Sequence, residues 1–150
     1  MDGYDPPRRL QQLPSWLLSN ASRHAGRLVS EALAQHGARR QHFSVLAALA
    51  EEGATSQAAL GRRLWIDRSD LHALLNELER EGKVARVRDE SDRRRNLVEL
   101  TPAGADALAQ LDRSVQAAQE QLLGPLSARD RDQLRRLLAQ LIAHGAGTAR

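Results

Sequence analysis

The spacing of apolar residues predicts a mostly helical chain whose pattern changes once. Over most of the sequence, apolar positions recur every three or four residues, as they do in amphipathic helices. Together with capping residues, this spacing predicts helices at 14–35, 40–52, after Ser56, at 67–81, 103–123 and 128–144. Residues 1–12 show no such period and are predicted to form a loose arm. The core-facing stripe of helix 40–52 is predicted to comprise Phe43, Leu46, Ala47 and Ala50, flanked by Leu49.

The two central helices are predicted to form a helix-turn-helix. Ser56 is expected to cap the first helix, and Asp67 the second, where Asp70 forms an acidic variant of a capping box. The core face of the second helix is a row of four leucines: Leu71, Leu74, Leu75 and Leu78. Its opposite edge carries three polar residues spaced by four: Arg68, His72 and Asn76. Two short helices with opposed faces and a tight turn between them indicate a helix-turn-helix.

The period changes to two after this unit, which predicts a β-hairpin. Residues 84–88 and 96–100 suit strands, and the segment 89–95 between them is wholly polar. Thr101 and Pro102 then supply an N-cap and a first-turn proline for the next helix. The chain is therefore predicted to be mainly α-helical with a small β-hairpin wing whose tip is charged.

The long helices outside the central unit carry more apolar surface than that unit can cover. The last helix, which is expected to fray at Gly145, presents Leu134, Leu137, Leu138, Leu141 and Ile142. A second copy of the chain is the expected cover. We therefore predict one interleaved domain, with helical dimerisation regions at 13–37 and 102–146 and a winged helix-turn-helix region at 38–101.

Composition excludes several classes of protein. The absence of cysteine excludes disulfides and thiol chemistry. No stretch approaches the roughly 18 apolar residues of a membrane span, and no secretory leader is present, so the chain is predicted to be cytoplasmic with no membrane partner. The histidines lack the spacing of metal ligands, and the motifs of hydrolases, nucleotide-binding enzymes and zinc proteases are missing. No cofactor, metal or enzymatic activity is predicted.

The charged residues favour a polyanionic partner. The net charge is +3, and every basic residue except Lys83 is arginine, which binds phosphate and base edges but also reflects genome composition. A run of arginines is usually a solvated loop, yet its place on a hairpin after a helix-turn-helix favours DNA contact. Arg68 could instead pair with Asp70 or Glu77, and His72 could be an ordinary exposed histidine.

A set of spaced residues runs from the second helix of the helix-turn-helix to the helix after the wing. Its members are Asp67, Arg68, Ser69, Leu74, Leu78, Glu79, Gly82, Val84, Asp89, Asp92, Arg93, Arg94, Val98, Leu100, Thr101 and Gly104. In this spacing the chain resembles the MarR family of transcriptional regulators, over roughly residues 14–144. The resemblance implies a triangular α-helical dimer with two winged units on one face of a DNA duplex. It also implies a repressor released by a small anionic or phenolic effector.

The resemblance assigns DNA contacts to two segments. Helix 67–81 would enter the major groove. The residues themselves, rather than the family pattern, favour contacts from Arg68, Ser69, His72 and Asn76, of which Asn76 lies farthest along the helix. The hairpin tip would reach an adjacent minor groove, whose negative potential attracts arginine, with contacts from Arg93, Arg94 and Arg95. By the family pattern Arg94 is the first choice, and Asp92 would hold one of the arginines in position through a charge-assisted hydrogen bond. No residue is assigned to effector binding.

Three residues depart from the family pattern. Trp65 stands where the turn usually has glycine, and a bulky residue is costly at positive φ, so the turn must differ or be strained. Asp70 and Ala73 stand where members often carry a hydroxyl and a basic residue. Asp70 is expected to stabilise the helix N-terminus rather than to recognise a cytosine amino group. Base specificity is therefore expected to be unusual.

The sequence as a whole predicts a sequence-specific regulator of transcription. We expect a dimeric repressor that binds double-stranded DNA at a pseudo-palindrome whose half-sites lie ~34 Å apart. The sequence is also compatible with two alternatives. The first is a dimeric winged-helix scaffold or antirepressor without DNA affinity, which the acidic residues Asp70, Glu77 and Glu79 motivate. The second is a nonspecific architectural DNA-binding protein.

Overall fold

The computed structural model describes residues 5–92 and 96–148, and it has the mainly helical fold that the sequence predicts. The helices in these ranges are α1 (Arg8–Gln11), α2 (Pro14–Ala34), α3 (Arg40–Glu52), α4 (Gln57–Leu64), α5 (Arg68–Arg80), α6 (Pro102–Leu123) and α7 (Ala128–Thr148). The strands are β1 (Thr55–Ser56), β2 (Val84–Arg88) and β3 (Asn96–Leu100). Helices α4 and α5 form the predicted helix-turn-helix, and β2 and β3 form the wing.

Side-chain caps begin helices α4, α5 and α6 where the sequence predicts them. Ser56 Oγ accepts a hydrogen bond from Ala59 N at 3.2 Å at the start of α4. The Asp67 carboxylate caps α5, and Thr101 Oγ1 accepts from Gly104 N at 3.0 Å at the start of α6. Each cap satisfies a backbone N–H that has no partner inside its helix.

Two terminal predictions are wrong in detail. The arm 1–12 is not wholly irregular, because residues 8–11 form the short helix α1 after Pro7, and Gln11 Nε2 donates to Pro6 O at 2.7 Å. One helical turn is too short to show a period in the sequence. Helix α7 does not fray at Gly145 but continues to Thr148. Glycine weakens a helix interior by about 1 kcal/mol without ending it.

The buried face of α3 differs from the predicted stripe. Ala50 is exposed, and Phe43 and Ala47 are only half-buried. The residues that are buried are His42, Val45, Leu46, Ala48 and Leu49. Helix α3 packs against α2, α4, α5, α6 and β3, so its environment is apolar on several sides. A helix at the centre of a domain buries a broader face than a single amphipathic stripe predicts.

The wing belongs to a three-stranded antiparallel sheet of order β1-β3-β2. The predicted hairpin pairs Val84 with Leu100 and Arg88 with Asn96. The short strand β1 was not predicted; it pairs Thr55 with Val98 along the other edge of β3. Two residues cannot show the alternation by which strands are recognised. Strand β1 joins the start of α4 to the middle of strand β3.

Helix α6 is joined to the base of the wing by a close backbone approach. Thr101 Oγ1 donates to Gly82 O at 2.6 Å, and Thr101 N donates to Lys83 O at 3.1 Å. Gly104, in the first turn of α6, is buried in this junction. A Cβ at Gly104 would lie 2.0 Å from Lys83 O and 2.7 Å from Leu100 Cδ1. Only glycine fits here without movement of the backbone.

The terminal helices leave apolar side chains exposed in the single chain. On α7 the large exposed hydrophobic residues are Leu134, Leu137, Leu141 and Ile142, and near the start of α2 they are Leu13, Leu17 and Leu18. None of the helices in the described part of the chain combines the length and apolarity needed to cross a bilayer. These exposed residues therefore form a surface without a cover in the monomer.

Replacing Gly104 tests the junction between α6 and the sheet. We expect Gly104→Ala to destabilise the fold by about 3 kcal/mol, because the added methyl group overlaps the Lys83 carbonyl and cannot be relieved by a rotamer change. The measurement is thermal or urea unfolding followed by circular dichroism at fixed protein concentration. Gly124→Ala is the matched control, since its Cβ would meet nothing closer than 3.5 Å. Equal stability of the two variants would contradict the claim that only glycine fits between α6 and the sheet at position 104.

Candidate nucleic-acid interface

The N-terminus of α5 is organised by the carboxylate of Asp67. Its Oδ1 accepts hydrogen bonds from Ser69 N at 2.9 Å, Asp70 N at 3.0 Å and Ser69 Oγ at 2.7 Å. The bonds from the Asp70 backbone and the Ser69 hydroxyl lower the pKa of Asp67 from 3.8 to about 2. A hydrogen bond to Asp67, which Asp70 donates when protonated, and repulsion by Asp67 raise the pKa of Asp70.

The predicted outer face of α5 is exposed and lies beside a groove. Both Arg68 and His72 are exposed, whereas the four predicted core leucines on the other side are buried. A concave surface, here called the α4–α5 groove, is lined by Ser56, Gln57, Arg62, Arg68, Ser69 and His72, and it extends to Asn96 in the wing. The helix-turn-helix thus presents basic and hydroxyl-bearing side chains together on one concave surface.

The Arg68 guanidinium does not form either of the ion pairs considered from the sequence. Among the described residues the guanidinium is paired neither with Asp70 nor with Glu77. The backbone carbonyl of Arg68 accepts a hydrogen bond from Gln57 Nε2 at 3.4 Å. Arg63, by contrast, is paired with Glu51 and Glu52. Arg68 is therefore available to an external anion.

Asn76, the fourth predicted DNA contact on α5, lies against strand β2 of the wing and not beside the α4–α5 groove. Its Oδ1 accepts a hydrogen bond from Arg86 Nη2 at 2.7 Å, and the side chain is half-buried. Arg86 also forms an ion pair with Glu79. These contacts join α5 to strand β2 of the wing. The structure therefore brings Arg68, Ser69 and His72 together at the groove and directs Asn76 to the wing.

Glu77 faces a buried histidine rather than the exterior. Arg39 N donates to His42 Nδ1 at 3.0 Å, so Nε2 of the neutral ring carries the proton and donates to Glu77 Oε2 at 3.0 Å. Arg39 Nη2 also donates to Glu77 Oε2 at 2.6 Å. The hydrogen bond from His42 and the charge of Arg39 lower the pKa of Glu77. The cluster ties the N-terminus of α3 to α5, a role that sequence spacing gave no means of finding.

Trp65, in the turn between α4 and α5, adopts the left-handed backbone conformation that glycine usually takes. Trp65 has φ 55° and ψ 39°, and its backbone N–H donates to Gly61 O. Among the described residues it is the only one other than glycine with positive φ. Its side chain is 83% exposed. Of the two possibilities raised by the sequence, the turn is therefore strained rather than different in conformation.

The wing departs from β2 through a side-chain turn. Asp89 Oδ1 accepts hydrogen bonds from Ser91 N at 2.9 Å and Ser91 Oγ at 2.6 Å, an Asx-type arrangement. Asp92 follows and is exposed. The predicted minor-groove residues Arg93, Arg94 and Arg95 lie outside the described residues. Their contacts, and the role of Asp92 in holding one of them, stay predictions.

These elements define a winged helix-turn-helix protein of the class that regulates transcription. The chain belongs to the MarR family, whose sequence pattern matches residues 36–95. The transcriptional regulator HosA of Escherichia coli is 30% identical over 117 residues, covering 72% of this chain and 87% of HosA. The resemblance identified from sequence is thereby confirmed: the chain belongs to the same family as proteins named as transcriptional regulators.

Other relatives agree in family and differ in length. The regulator TtmR of Methylorubrum extorquens is 33% identical over 110 residues, which cover 73% of this chain. The chain spans 56% of TtmR and 64% of a further curated relative from Thauera aromatica. These two relatives are therefore substantially longer than the part that the chain matches.

Solved structures share almost the whole fold. The transcriptional repressor CouR, bound to a 23-mer DNA duplex, superposes with a TM-score of 0.84 at 27% identity, covering 93% of this chain and 99% of CouR. The regulator PcaV from Streptomyces coelicolor, in complex with its natural ligand, gives a TM-score of 0.75 at 26% identity and covers 100% of both chains. The similarity therefore includes the long helices as well as the winged unit.

The strain at Trp65 predicts a stabilising substitution. We expect Trp65→Gly to raise the free energy of unfolding by about 1 kcal/mol, because the left-handed conformation costs an L-residue about 1–2 kcal/mol and glycine loses only part of this gain through unfolded-state entropy. The measurement is urea unfolding. Gly82→Ala is the reciprocal control: φ is 69° and a Cβ there meets nothing within 4 Å, so it should destabilise through backbone conformation alone. If Trp65→Gly were less stable than the wild-type protein, the claim that Trp65 strains the turn would be wrong.

The cap of α5 predicts a specific acid titration. Because the folded pKa of Asp67 lies below its ordinary value of 3.8, its stabilising contribution is complete above that value and is lost as pH falls toward about 2. Carboxyl-carbon NMR should show Asp67 titrating near 2 and Asp70 above its ordinary value. In Asp67→Asn the pKa of Asp70 should fall, since the raising group is gone. An unchanged Asp70 titration would contradict the coupling.

Proposed function

We propose that this protein is a homodimeric repressor that binds a pseudo-palindromic DNA operator through α5 and the wing. The observation that carries the proposal is the outer face of α5, where Arg68 and His72 are exposed beside the α4–α5 groove and Arg68 lacks an ion pair among the described residues. A helix of this kind fits the major groove, and an unpaired guanidinium can bind guanine or phosphate. The shared fold of the DNA-bound repressor CouR supports the same function.

Each DNA contact has a proposed role. Arg68, Ser69 and His72 face the major groove from the first two turns of α5. Asn76 supports the wing through Arg86, since its side-chain oxygen is already hydrogen-bonded there. Arg94, with Arg93 and Arg95, enters the minor groove from the tip of the wing, and Asp92 positions one of these arginines.

The exposed apolar residues of α2 and α7 support a dimer of this chain. In our proposal, regions 13–37 and 102–146 form the dimer interface and region 38–101 binds DNA, within one interleaved domain. Leu33 of α2 and Leu111 of α6 belong to the same core as the leucines of α5, which supports a continuous domain. A symmetric dimer would present two copies of α5 to a two-fold operator in the cytoplasm.

A small-molecule effector is part of the proposal. PcaV, which shares the fold over its whole length, was solved in complex with its natural ligand. An anionic or phenolic compound bound between the dimer helices and the winged unit would change the separation of the two α5 helices and so release DNA. Its binding residues are not assigned.

The alternative of a scaffold or antirepressor is weakened by the positions of its acidic residues. Glu77 is bound to Arg39 and His42, and Glu79 is bound to Arg86. Two of the three carboxylates that motivated this alternative are therefore paired within the protein. Asp70 remains beside the α5 cap, where a negative charge suits the helix dipole.

Selection of duplexes from a random pool tests the proposed function. We expect a pseudo-palindromic consensus with half-sites ~34 Å apart and an affinity that falls steeply with salt, because phosphate contacts release counterions. A mobility-shift assay with the selected and a scrambled duplex measures both. Equal affinity for the two duplexes would indicate a nonspecific architectural protein, and no salt-sensitive binding would indicate the scaffold.

Arg68→Ala tests the major-groove assignment. We expect the variant to bind the operator about 1–3 kcal/mol more weakly. On an operator in which the base pair read by Arg68 is substituted, the variant and the wild-type protein should bind equally. Arg63→Ala is the matched control, because it removes the same charge from the same helix-turn-helix but from an arginine engaged with Glu51 and Glu52. Fluorescence anisotropy of labelled duplexes measures both variants. Equal losses for Arg63→Ala and Arg68→Ala would reduce the role of Arg68 to net charge.

A further inference from the structure

The fold does not explain why residue 65 is a tryptophan. Its left-handed backbone favours glycine, so the fold gains nothing there from a bulky residue. Because the indole is 83% exposed, burial does not compensate for the strain either. A strained residue that the fold does not need is an indication of function.

Trp65 lies at the end of α5 that the proposed function directs toward DNA. It precedes the Asp67 cap by two residues, so their Cα atoms are at most about 7.6 Å apart. Trp65 also lines a shallow concavity with Gly61, Arg62, Ile66 and Asp67, and Arg62 and Asp67 also line the α4–α5 groove. The indole therefore borders the surface that carries Arg68.

The charges beside Trp65 favour a polyanion as its partner. Arg62 and Arg68 are exposed on either side of the turn, and neither forms an ion pair among the described residues. The Asp67 carboxylate is occupied by the hydrogen bonds that cap α5. An exposed tryptophan that is flanked along the chain by two available arginines suits a surface that alternates apolar sugars with phosphates.

We propose that Trp65 is a DNA-backbone contact that positions α5 in the major groove. The indole face packs on a deoxyribose of the strand that borders the groove, and Nε1–H donates to a phosphate oxygen. Indole combines a large apolar surface with a single donor, which matches a sugar and its adjoining phosphate. Contacts of this class fix the register of a protein on the duplex without reading bases. This inference rests on the proposed function.

Fluorescence of a single tryptophan tests the contact directly. The chain has two tryptophans, so Trp16→Phe leaves Trp65 as the only indole. Acrylamide quenching of this variant is measured with and without a saturating duplex recovered by selection, while anisotropy of the labelled duplex reports binding independently. We expect the duplex to reduce the quenching constant several-fold. A mixed-sequence duplex at low salt should protect Trp65 as well, because a backbone contact carries no sequence information.

The outcomes separate the two proposals. Unchanged quenching at saturation, with binding seen by anisotropy, would overturn the Trp65 contact and leave the proposed function intact; a protein partner would then be the candidate for this surface. Absence of binding in the anisotropy assay would overturn the proposed function and the Trp65 contact together. Protection by both duplexes would support the contact.

Substitutions at Trp65 distinguish a contact from a structural role. Trp65→Ala retains a non-glycine residue at the same backbone position, and we expect its operator affinity to fall about tenfold with an unchanged salt slope, because indole is neutral. Trp65→Phe keeps an aromatic face without the donor and should recover part of the loss. Arg62→Ala is the contrasting variant, since it should reduce the salt slope by about one. Wild-type affinity in Trp65→Ala would overturn the proposal, as would a loss fully explained by a lowered melting temperature.

Discussion

Helix α5 buries one face almost completely, and the rest of the molecule is arranged around that burial. Leu71, Leu74, Leu75 and Leu78 are each at most 3% exposed and belong to the core shared with α2, α3, α4, α6 and the sheet. Removing a leucine side chain from water contributes about 1.5–3 kcal/mol, so the rotation of α5 about its axis is strongly fixed. Because side chains four apart lie on one edge of a helix, fixing the leucines inward also fixes Arg68 and His72 outward.

Internal pairing then decides which charges remain for a partner. Glu77 and Glu79 are held by Arg39, His42 and Arg86, whereas Arg68 lacks an ion pair among the described residues. The acidic residues of α5 thus stabilise its contacts with α3 and the wing instead of repelling phosphate. At the other end of the winged unit, the close approach of Gly104 to Lys83 joins α6 to the sheet. The long helices and the DNA-facing surface are therefore connected by packed backbone rather than by a flexible linker.

Much of this architecture could be predicted from local sequence signals. The bounds of α3, β2 and β3, the caps at Ser56, Asp67 and Thr101, and the buried face of α5 all follow from periodicity and capping chemistry. These signals depend on neighbours within one or two turns of the same element, so the sequence carries them without reference to distant parts. The exposure of Arg68 and His72 follows from the same helical period.

The sequence alone determined the order of the longer helices and the two wing strands, the helix-turn-helix and the family, because each depends on short-range spacing. Tertiary structure decided the pairing of β1 with β3, the buried face of α3, the inward direction of Glu77 and the contact of Asn76 with Arg86. It also decided that the turn at Trp65 keeps its left-handed conformation. The contacts between elements join residues of different helices and strands, and several elements pack around α3, so neither local propensity nor periodicity encodes them. At Trp65 local propensity disfavours the left-handed conformation that the fold adopts.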